Sequence, residues 1–250
     1  MRISICIDAL WFGENPIYSM REAKKCGVDN IEFWAWWTKD VDTMDKVRKE
    51  LGMNVVALCT KFISLVDETK RDEYLTALAE TASVAKKLEC GMVITQVGDF
   101  IEGIAREAQH ASLVEGLRVC VPILEENDLT LVFEPLNTTY DHKGYYLWST
   151  DEAEQIADEV GSKNVKILFD LYHQQIMEGD IINRSTRFIS KIGHMHCAGN
   201  PGRHELTVGE INYDPVFEAL DKAGYDGFMG FEYFPLAPPC ETITPWLHYR

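Results

Sequence analysis

The sequence predicts a (β/α)8 TIM barrel, an α/β fold in which eight parallel strands alternate with helices. Three observations predict it. The chain has 250 residues, close to the roughly 250 that such a barrel typically takes. Eight short apolar runs alternate with longer amphipathic stretches. No linker, low-complexity segment or shift in composition interrupts this alternation, so we expect residues 1–250 to form one domain.

The eight apolar runs predict the strands in chain order. They are Ile3–Ile7, Asn30–Phe33, Asn54–Cys59, Met92–Gln96, Thr130–Glu134, Val165–Asp170, Ile192–Cys197 and Gly227–Glu232. Repeated β/α units imply parallel strands, which form either a closed barrel or an open doubly wound sheet. An open dinucleotide-binding sheet should have a glycine-rich turn after its first strand. The segment Ala9–Gly13 contains no such turn, which favours the barrel.

The stretches between the strands have the apolar spacing of helices. Tyr74–Leu88 repeats apolar residues three or four positions apart, and Ile101–Glu126 has similar spacing around a potential kink at Pro122. Asp151–Val160 follows two residues of N-cap type and has acidic residues in its first turn. Pro215–Ala223 ends before a glycine of C-cap type. These features predict helices in four of the connections.

The charge of the chain argues against nucleic acid as a partner. Lys and Arg total 24 against 40 Asp and Glu, a formal net charge of −16. Nucleic-acid binders usually carry a basic patch, because phosphate contacts supply much of their affinity. The sequence has no run of Lys and Arg that could form one. We interpret the acidity as a contribution to solubility.

The cysteines and the apolar runs predict a cytoplasmic protein. The seven cysteines are odd in number, form no CxxC motif and lie mostly in apolar segments. This pattern is typical of reduced, buried thiols. The N-terminal residues lead directly into a predicted strand without a long apolar signal region, and no stretch approaches the roughly 18 apolar residues of a membrane span. We therefore expect no membrane partner.

Residue types that bind metals end four consecutive predicted strands. Glu134, Asp170, His196 and Glu232 lie at the carboxyl ends of the fifth to eighth strands, spaced 36, 26 and 36 residues apart. Active sites of this fold lie at the carboxyl ends of the strands, so these side chains should converge. A single strand-end acid is often a helix N-cap or a solvated rim residue, whereas four in succession indicate a shared site. Three carboxylates together would repel one another, and a divalent cation removes that cost.

This ligand set predicts one divalent metal ion. Three carboxylates and one imidazole favour Mn²⁺, with Mg²⁺ or Co²⁺ as alternatives, whereas zinc usually prefers more nitrogen or sulfur ligands. His194 competes with His196 as the imidazole ligand, because strand alternation places both on one face. The position at the strand end favours His196.

Other side chains near the predicted mouth are candidates for substrate contacts. His173 follows Asp170 by three residues and either contacts a substrate hydroxyl or caps a helix. Arg203 lies in a tight turn after the seventh strand, where its guanidinium either binds a substrate carboxylate or stays solvated. Trp34 belongs to an aromatic group that could wall a sugar pocket, pack a second copy in a homo-oligomer or pack against helices. Lys61, after the third strand, is a weaker candidate, as is Gln96 after the fourth.

Several segments resemble the hydroxypyruvate isomerase family. Pro201–Glu205 and Gly209–Tyr213 are the most similar to it, and Phe133–Asn137 and Gly230–Tyr233 fit it as well. The wider group is the xylose-isomerase-like TIM barrel superfamily, which includes ketose 3-epimerases, inosose dehydratases and endonuclease IV. The resemblance is specific over Thr130–Pro235. In the first half of the chain, only the general pattern of the sequence matches.

The resemblance implies roles for the residues already singled out. It implies that Glu134, Asp170, position 196 and Glu232 bind the metal, and that the two glutamates form the acid/base pair. Substrate-binding positions of the family fall on two further residues. These are His173 and Arg203, and we add Asn137 from the Phe133–Asn137 segment to the predicted substrate contacts.

One position departs from the hydroxypyruvate isomerase pattern. Hydroxypyruvate isomerases have Gln at the position that corresponds to His196. Ketose 3-epimerases have His there, in a His-x-His motif similar to His194–His196. The prediction is therefore a metal-dependent isomerase that moves a proton through an enediolate on a sugar or keto acid, a small hydroxycarbonyl compound. A ketose 3-epimerase of the tagatose or psicose type, and a lyase or C-glycoside-cleaving enzyme of the same superfamily, are the alternatives.

Overall fold

The computed structural model describes residues 1–249, and within them eight parallel strands form a closed barrel in chain order. The strands are β1 Arg2–Cys6, β2 Asn30–Phe33, β3 Asn54–Cys59, β4 Met92–Thr95, β5 Thr130–Phe133, β6 Val165–Asp170, β7 Ile192–Cys197 and β8 Phe228–Phe231. The first strand pairs with both β2 and β8, which closes the barrel. The predicted fold class is confirmed.

Helices occupy the connections and pack around the barrel. The α-helices are α1 Ile7–Leu10, α2 Pro16–Lys25, α3 Val41–Leu51, α4 Arg71–Lys87, α5 Arg106–Glu126, α6 Thr150–Val160, α7 Leu171–Met177, α8 Ile181–Arg187, α9 Tyr213–Lys222 and α10 Pro239–Ile243. Short 3₁₀ helices cover Trp36–Thr38, Glu68–Lys70, Ile189–Lys191 and Thr244–Tyr249. Among the residues the structure describes, no helix is both long enough and apolar enough to cross a membrane.

The fifth helix begins five residues later than the sequence predicts. The segment before it is a turn held by the buried Gln109 side chain, whose Oε1 accepts from Ile101 N at 2.9 Å. Its Nε2 donates to Ile101 O at 3.1 Å and to Ile104 O at 2.9 Å. These side-chain bonds satisfy the turn's backbone and replace the helical ones. Pro122 lies inside α5, which continues to Glu126.

The barrel interior is apolar on one side and polar on the other. Strands β3 to β6 supply an apolar cluster that is separate from the larger core between barrel and helices, formed by Val56, Ala57, Cys59, Ile94, Val132 and Leu168. Strands β1, β2 and β7 supply the polar side, formed by Ser4, Glu32, His194 and His196, all of them buried. Met195 packs into the larger core instead. The two histidines therefore share the inner face, as strand alternation predicts.

Two cysteines form a disulfide that the sequence does not predict. Five of the seven cysteines are buried free thiols, but Cys26 and Cys240 are bonded, with Cα atoms 5.0 Å apart and a sequence separation of 214. The expectation of reduced thiols throughout is therefore wrong for this pair. Pairing of β1 with β8 brings the end of α2 next to α10, and no spacing along the sequence reveals that proximity.

Candidate active site at the carboxyl ends of the strands

Three of the four strand-end residues singled out in the sequence line one cavity, and the fourth, Asp170, lies beside them. The cavity has a volume of about 210 Å³, and Glu134, His196 and Glu232 line it. His196 Nδ1 lies 3.8 Å from Glu134 Oε1 and 3.6 Å from Glu232 Oε2, so both glutamates approach the same ring nitrogen. Ligand atoms of Asp170, His196 and Glu232 all lie within 4.8 Å of one another. Glu134 and Glu232 each come one residue after their strand ends.

Asp170 joins the end of β6 to the start of α7. Its Oδ1 accepts from Tyr172 N at 2.7 Å and from His173 N at 3.2 Å, which makes it the N-cap of the helix. Oδ2 points elsewhere and lies 3.5 Å from His173 Nε2. Capping therefore occupies one oxygen of this carboxylate and leaves the other next to His173.

The two glutamates of the cavity have opposite electrostatic surroundings. Burial raises the pKa of Glu134 well above its usual range, and the neighbouring carboxylates of Glu232 and Asp170 add to that rise. Burial also acts to raise the pKa of Glu232, but Arg203 and His196 outweigh it and hold that pKa below its usual range. Arg203 donates to Glu232 Oε2, and Trp34 Nε1 donates to Oε1 at 2.6 Å. One glutamate thus favours the proton and the other the charge.

His173 is held in one protonation state and one orientation. Its Nδ1 accepts from Asn137 Nδ2 at 2.7 Å and from Asn137 N at 3.3 Å. The amide orientation is fixed, because Asn137 Oδ1 accepts from Tyr140 N and Nδ2 also donates to Asp141. Burial lowers the pKa of His173 well below its usual value, and Arg203 lowers it further. The neutral ring therefore carries its proton on Nε2, the atom that faces Asp170.

A buried carboxylate lies beneath His196. Glu32 Oε2 accepts from His194 Nε2 at 2.7 Å and lies 3.4 Å from His196 Nε2. Burial raises the pKa of Glu32, but the two histidines outweigh that effect and lower it to about 2. Contact with Glu32 directs His196 Nε2 down into the barrel and leaves Nδ1 facing the glutamates. A carboxylate behind a ligating histidine is a common way to orient the ring.

The donor set of the cavity fits a divalent cation. Among residues 1–249, Glu134 Oε1 and His196 Nδ1 are buried without a hydrogen-bond partner and lie 3.8 Å apart. Buried polar atoms are normally satisfied, so two unsatisfied ones this close together indicate a missing partner. Carboxylate oxygens next to an imidazole nitrogen suit Mn²⁺ or Mg²⁺ better than zinc.

The structure separates the predicted substrate contacts into three groups. Trp34 and Arg203 line the cavity. Asn137 lies behind His173, and both side chains are fully buried. Lys61 points away from the cavity: it pairs with Glu80 of α4 and lies 5.4 Å from the Trp36 ring centroid. A lysine after β3 carries no sequence signal that would show which way its side chain turns.

Three residues near the cavity escaped the sequence analysis. Glu32 lies between two buried apolar residues of β2, and a lone acid in such a strand was a usable signal. His142 and Phe62 line the cavity from loops, where no periodicity marks them. The backbone after β5 is held by Tyr145, whose hydroxyl donates to Glu134 O at 3.0 Å and accepts from Val97 N at 2.7 Å.

Known proteins of the same architecture match nearly the whole chain. The sequence profile of the xylose isomerase-like TIM barrel family matches residues 20–247. Hydroxypyruvate isomerase of Escherichia coli (strain K12) is 33% identical over 245 residues, which cover 94% of each chain. An AP endonuclease of family 2 from Brucella melitensis has a TM-score of 0.91 at 25% identity and covers 100% of this chain and 99% of its own. A D-psicose 3-epimerase solved with D-fructose has a TM-score of 0.79 at 21% identity and covers 98% and 90%.

Proposed function

The chain belongs to the xylose isomerase-like TIM barrel family, and from this premise we propose that it is a metal-dependent isomerase of small hydroxycarbonyl compounds. The observation that carries the proposal is the approach of Glu134 and Glu232 to the same nitrogen of His196, Nδ1, in one cavity. Two carboxyl groups that flank a substrate can take a proton from one carbon and return one to another.

Four side chains are proposed to hold one divalent ion: Glu134, Asp170, His196 and Glu232. The fit rests on the unsatisfied donor atoms and on the carboxylate-rich set described above. Bound there, such an ion would supply Lewis-acid stabilisation of negative charge on the substrate oxygens. Mn²⁺ is the proposed ion, with Mg²⁺ or Co²⁺ as alternatives.

The protein groups of the cavity can bind, orient and move a proton. One of the two glutamates removes the proton on the carbon next to the carbonyl, and the other donates its own proton to carbon, so that an enediolate separates the two steps. A positioned acid or base typically contributes about 10²–10⁴-fold to the rate. The His173 Nε2–H faces Asp170, so His173 is proposed to orient that carboxylate, and the Trp34 ring lines the cavity.

A keto acid is the proposed substrate, with a neutral ketose as the alternative. The Escherichia coli relative is a hydroxypyruvate isomerase, and the half-buried guanidinium of Arg203 lines the cavity and can bind a substrate carboxylate through paired hydrogen bonds. His196 favours a ketose 3-epimerase instead, because that group has His at this position.

Nuclease activity is not proposed, since the net charge of −16 disfavours binding to a phosphate backbone. A cytoplasmic location remains a prediction.

Solvent-proton exchange tests the reaction class. Metal-loaded protein is incubated in D₂O with hydroxypyruvate, tetruloses, fructose, tagatose and psicose, and NMR follows deuterium on the carbons next to the carbonyl. We expect deuterium in at least one compound, and the product then distinguishes an isomer from an epimer. Absence of exchange across the panel would contradict the proposal and favour the C-glycoside-cleaving alternative, for which 3-oxo-sugar conjugates are the test. The double variant Glu134→Gln, Glu232→Gln is the control for deuterium exchange that does not depend on the two glutamates.

A further inference from the structure

A second, larger cavity opens beside the candidate active site. It has a volume of about 610 Å³ and lies between the segments that follow β3 and β4 and the loop that follows β5. Phe62, Gln96 and His142 line both cavities. The two spaces therefore adjoin, and these three side chains form the boundary between them.

The sizes of the two cavities indicate a substrate longer than its reacting part. The active-site cavity of about 210 Å³ is smaller than the roughly 300–1,000 Å³ of most small-molecule sites. The second cavity is nearly three times as large. A three-carbon keto acid held between the two glutamates would not reach it, whereas a substrate with further atoms beyond the reacting carbons would.

Polar groups at the boundary are available to such a substrate. The Gln96 amide and the His142 ring are partly exposed, and neither side chain makes a hydrogen bond to any of residues 1–249. The His142 ring is held by an edge contact to the His173 ring, with centroids 5.3 Å apart. Both groups can donate to and accept from hydroxyls, which is the chemistry of a sugar chain.

The charge of the second cavity restricts what it can bind. Asp67, Asp99 and Glu102 line it, and no Lys or Arg belongs to its described lining. The Asp67 carboxylate is partly used by the backbone and hydroxyl of Thr69. The carboxylates of Asp99 and Glu102 make neither ion pairs nor hydrogen bonds within residues 1–249. Acceptors of this kind suit hydroxyl groups and repel a phosphate or carboxylate.

We propose that the second cavity is a subsite for a neutral, polyhydroxylated portion of the substrate that lies beyond the reacting carbons. The inference rests on the proposed function, because it assumes that the hydroxycarbonyl unit reacts between Glu134 and Glu232. The substrate class is then a hydroxycarbonyl compound with a sugar-like extension, and a compound with an anionic distal group is rejected.

The test compares compounds that differ only at the distal end. Isomaltulose and fructose 6-phosphate both extend fructose at carbon 6, the first with a neutral glucosyl group and the second with a phosphate dianion. Deuterium exchange is measured with these two, with fructose and with hydroxypyruvate. We expect kcat/KM for isomaltulose to exceed that for fructose 6-phosphate by about tenfold or more, since the repulsion acts across a partly enclosed, acidic cavity.

Two variants of Glu102 separate the effect of the cavity's charge from the effect of its volume. Glu102→Lys should raise kcat/KM for fructose 6-phosphate severalfold, and Glu102→Trp should lower it for isomaltulose. Neither should change the reaction of hydroxypyruvate. Glu107→Lys is the matched control, because Glu107 is exposed on α5 and belongs to the lining of neither cavity.

The outcomes separate this inference from the proposed function. Exchange of hydroxypyruvate alone, or fructose 6-phosphate reacting as well as isomaltulose, would overturn the subsite and leave the isomerase intact. Exchange with none of the four compounds, nor with the wider panel above, would overturn the proposed function and the subsite with it.

Discussion

At the scale of single residues, the carboxylate of Asp170 has two roles: it is the N-cap of α7 and a proposed metal ligand. Its Oδ1 caps α7, while Oδ2 lies 3.5 Å from His173 Nε2. An N-cap needs only an oxygen acceptor, which an amide also provides, whereas a metal ligand in a carboxylate-rich set supplies charge. The two roles can therefore be separated by a substitution that keeps the oxygen and removes the charge.

We predict that Asp170→Asn folds normally and loses metal and activity. Asp170→Ala should lose both and also destabilise the fold by about 1 kcal/mol, the usual cost of a lost N-cap. Urea unfolding measures the stability, and elemental analysis after dialysis measures the metal. Unchanged metal content in the Asn variant would contradict the proposed ligand set.

His196→Ala should weaken metal binding far more than His194→Ala. Only His196 places a nitrogen next to both glutamates, while His194 Nε2 is used by Glu32. Titration of metal into apo-protein, followed by calorimetry, compares the two variants directly. The opposite order would mean that His194 is the ligand.

Arg203→Ala should separate acidic from neutral substrates. If the guanidinium binds a substrate carboxylate, its loss should cost a keto acid about 2–5 kcal/mol of binding and a neutral ketose much less. KM for both compounds is the measurement. Arg203→Lys keeps the charge and loses the planar guanidinium, so its KM for the keto acid should lie between those of the unsubstituted protein and Arg203→Ala. Equal losses for both substrates would remove the support for an acidic substrate.

At the scale of elements, a glycine of β8 makes room for the polar side of the barrel. A Cβ atom at Gly230 would lie 2.0 Å from Glu32 Oε1 and 2.6 Å from His196 Cδ2, both too close for a real contact. Strand β8 therefore sets the space in which Glu32 and His196 meet.

We predict that Gly230→Ala lowers metal affinity by displacing the His196 ring. Gly91→Ala is the control, because a Cβ there meets no atom within 4 Å. Metal titration compares the two proteins, and circular dichroism checks that both are folded. Equal affinity in both variants would show that β8 does not restrict the imidazole.

The strands were predictable from the sequence to a degree that the site was not. Asn54–Cys59 and Val165–Asp170 have the predicted bounds, because an apolar run bounded by polar residues is a local signal. The meeting of Glu32 with His194 depends on barrel closure, which brings together strands 162 residues apart. Lys61 was predicted from its position alone, but its side-chain direction depends on a partner in α4.

At the scale of the whole molecule, the Cys26–Cys240 disulfide closes a loop of 214 residues. Five thiols should therefore react in denatured protein that has not been reduced, and seven after reduction. Cys240→Ser should lower the free energy of unfolding by about 2–5 kcal/mol, since loops this long lose much entropy on closure. Seven reactive thiols without reductant would contradict the bond.

The polar side of the barrel consists of residues from the first two strands and the seventh, and the eighth strand completes the ring. During synthesis on the ribosome, Ser4 and Glu32 are therefore present long before His194 and His196, the residues next to Glu32 in the folded barrel. The charge of Glu32 can be enclosed only after β7 and β8 have been translated, because β1 pairs with β8. Domains of this size commonly pass through partly folded intermediates. The proposed metal site can therefore form only after β8 has been translated, and we predict that a chain that stops before residue 228 binds no ion at this position.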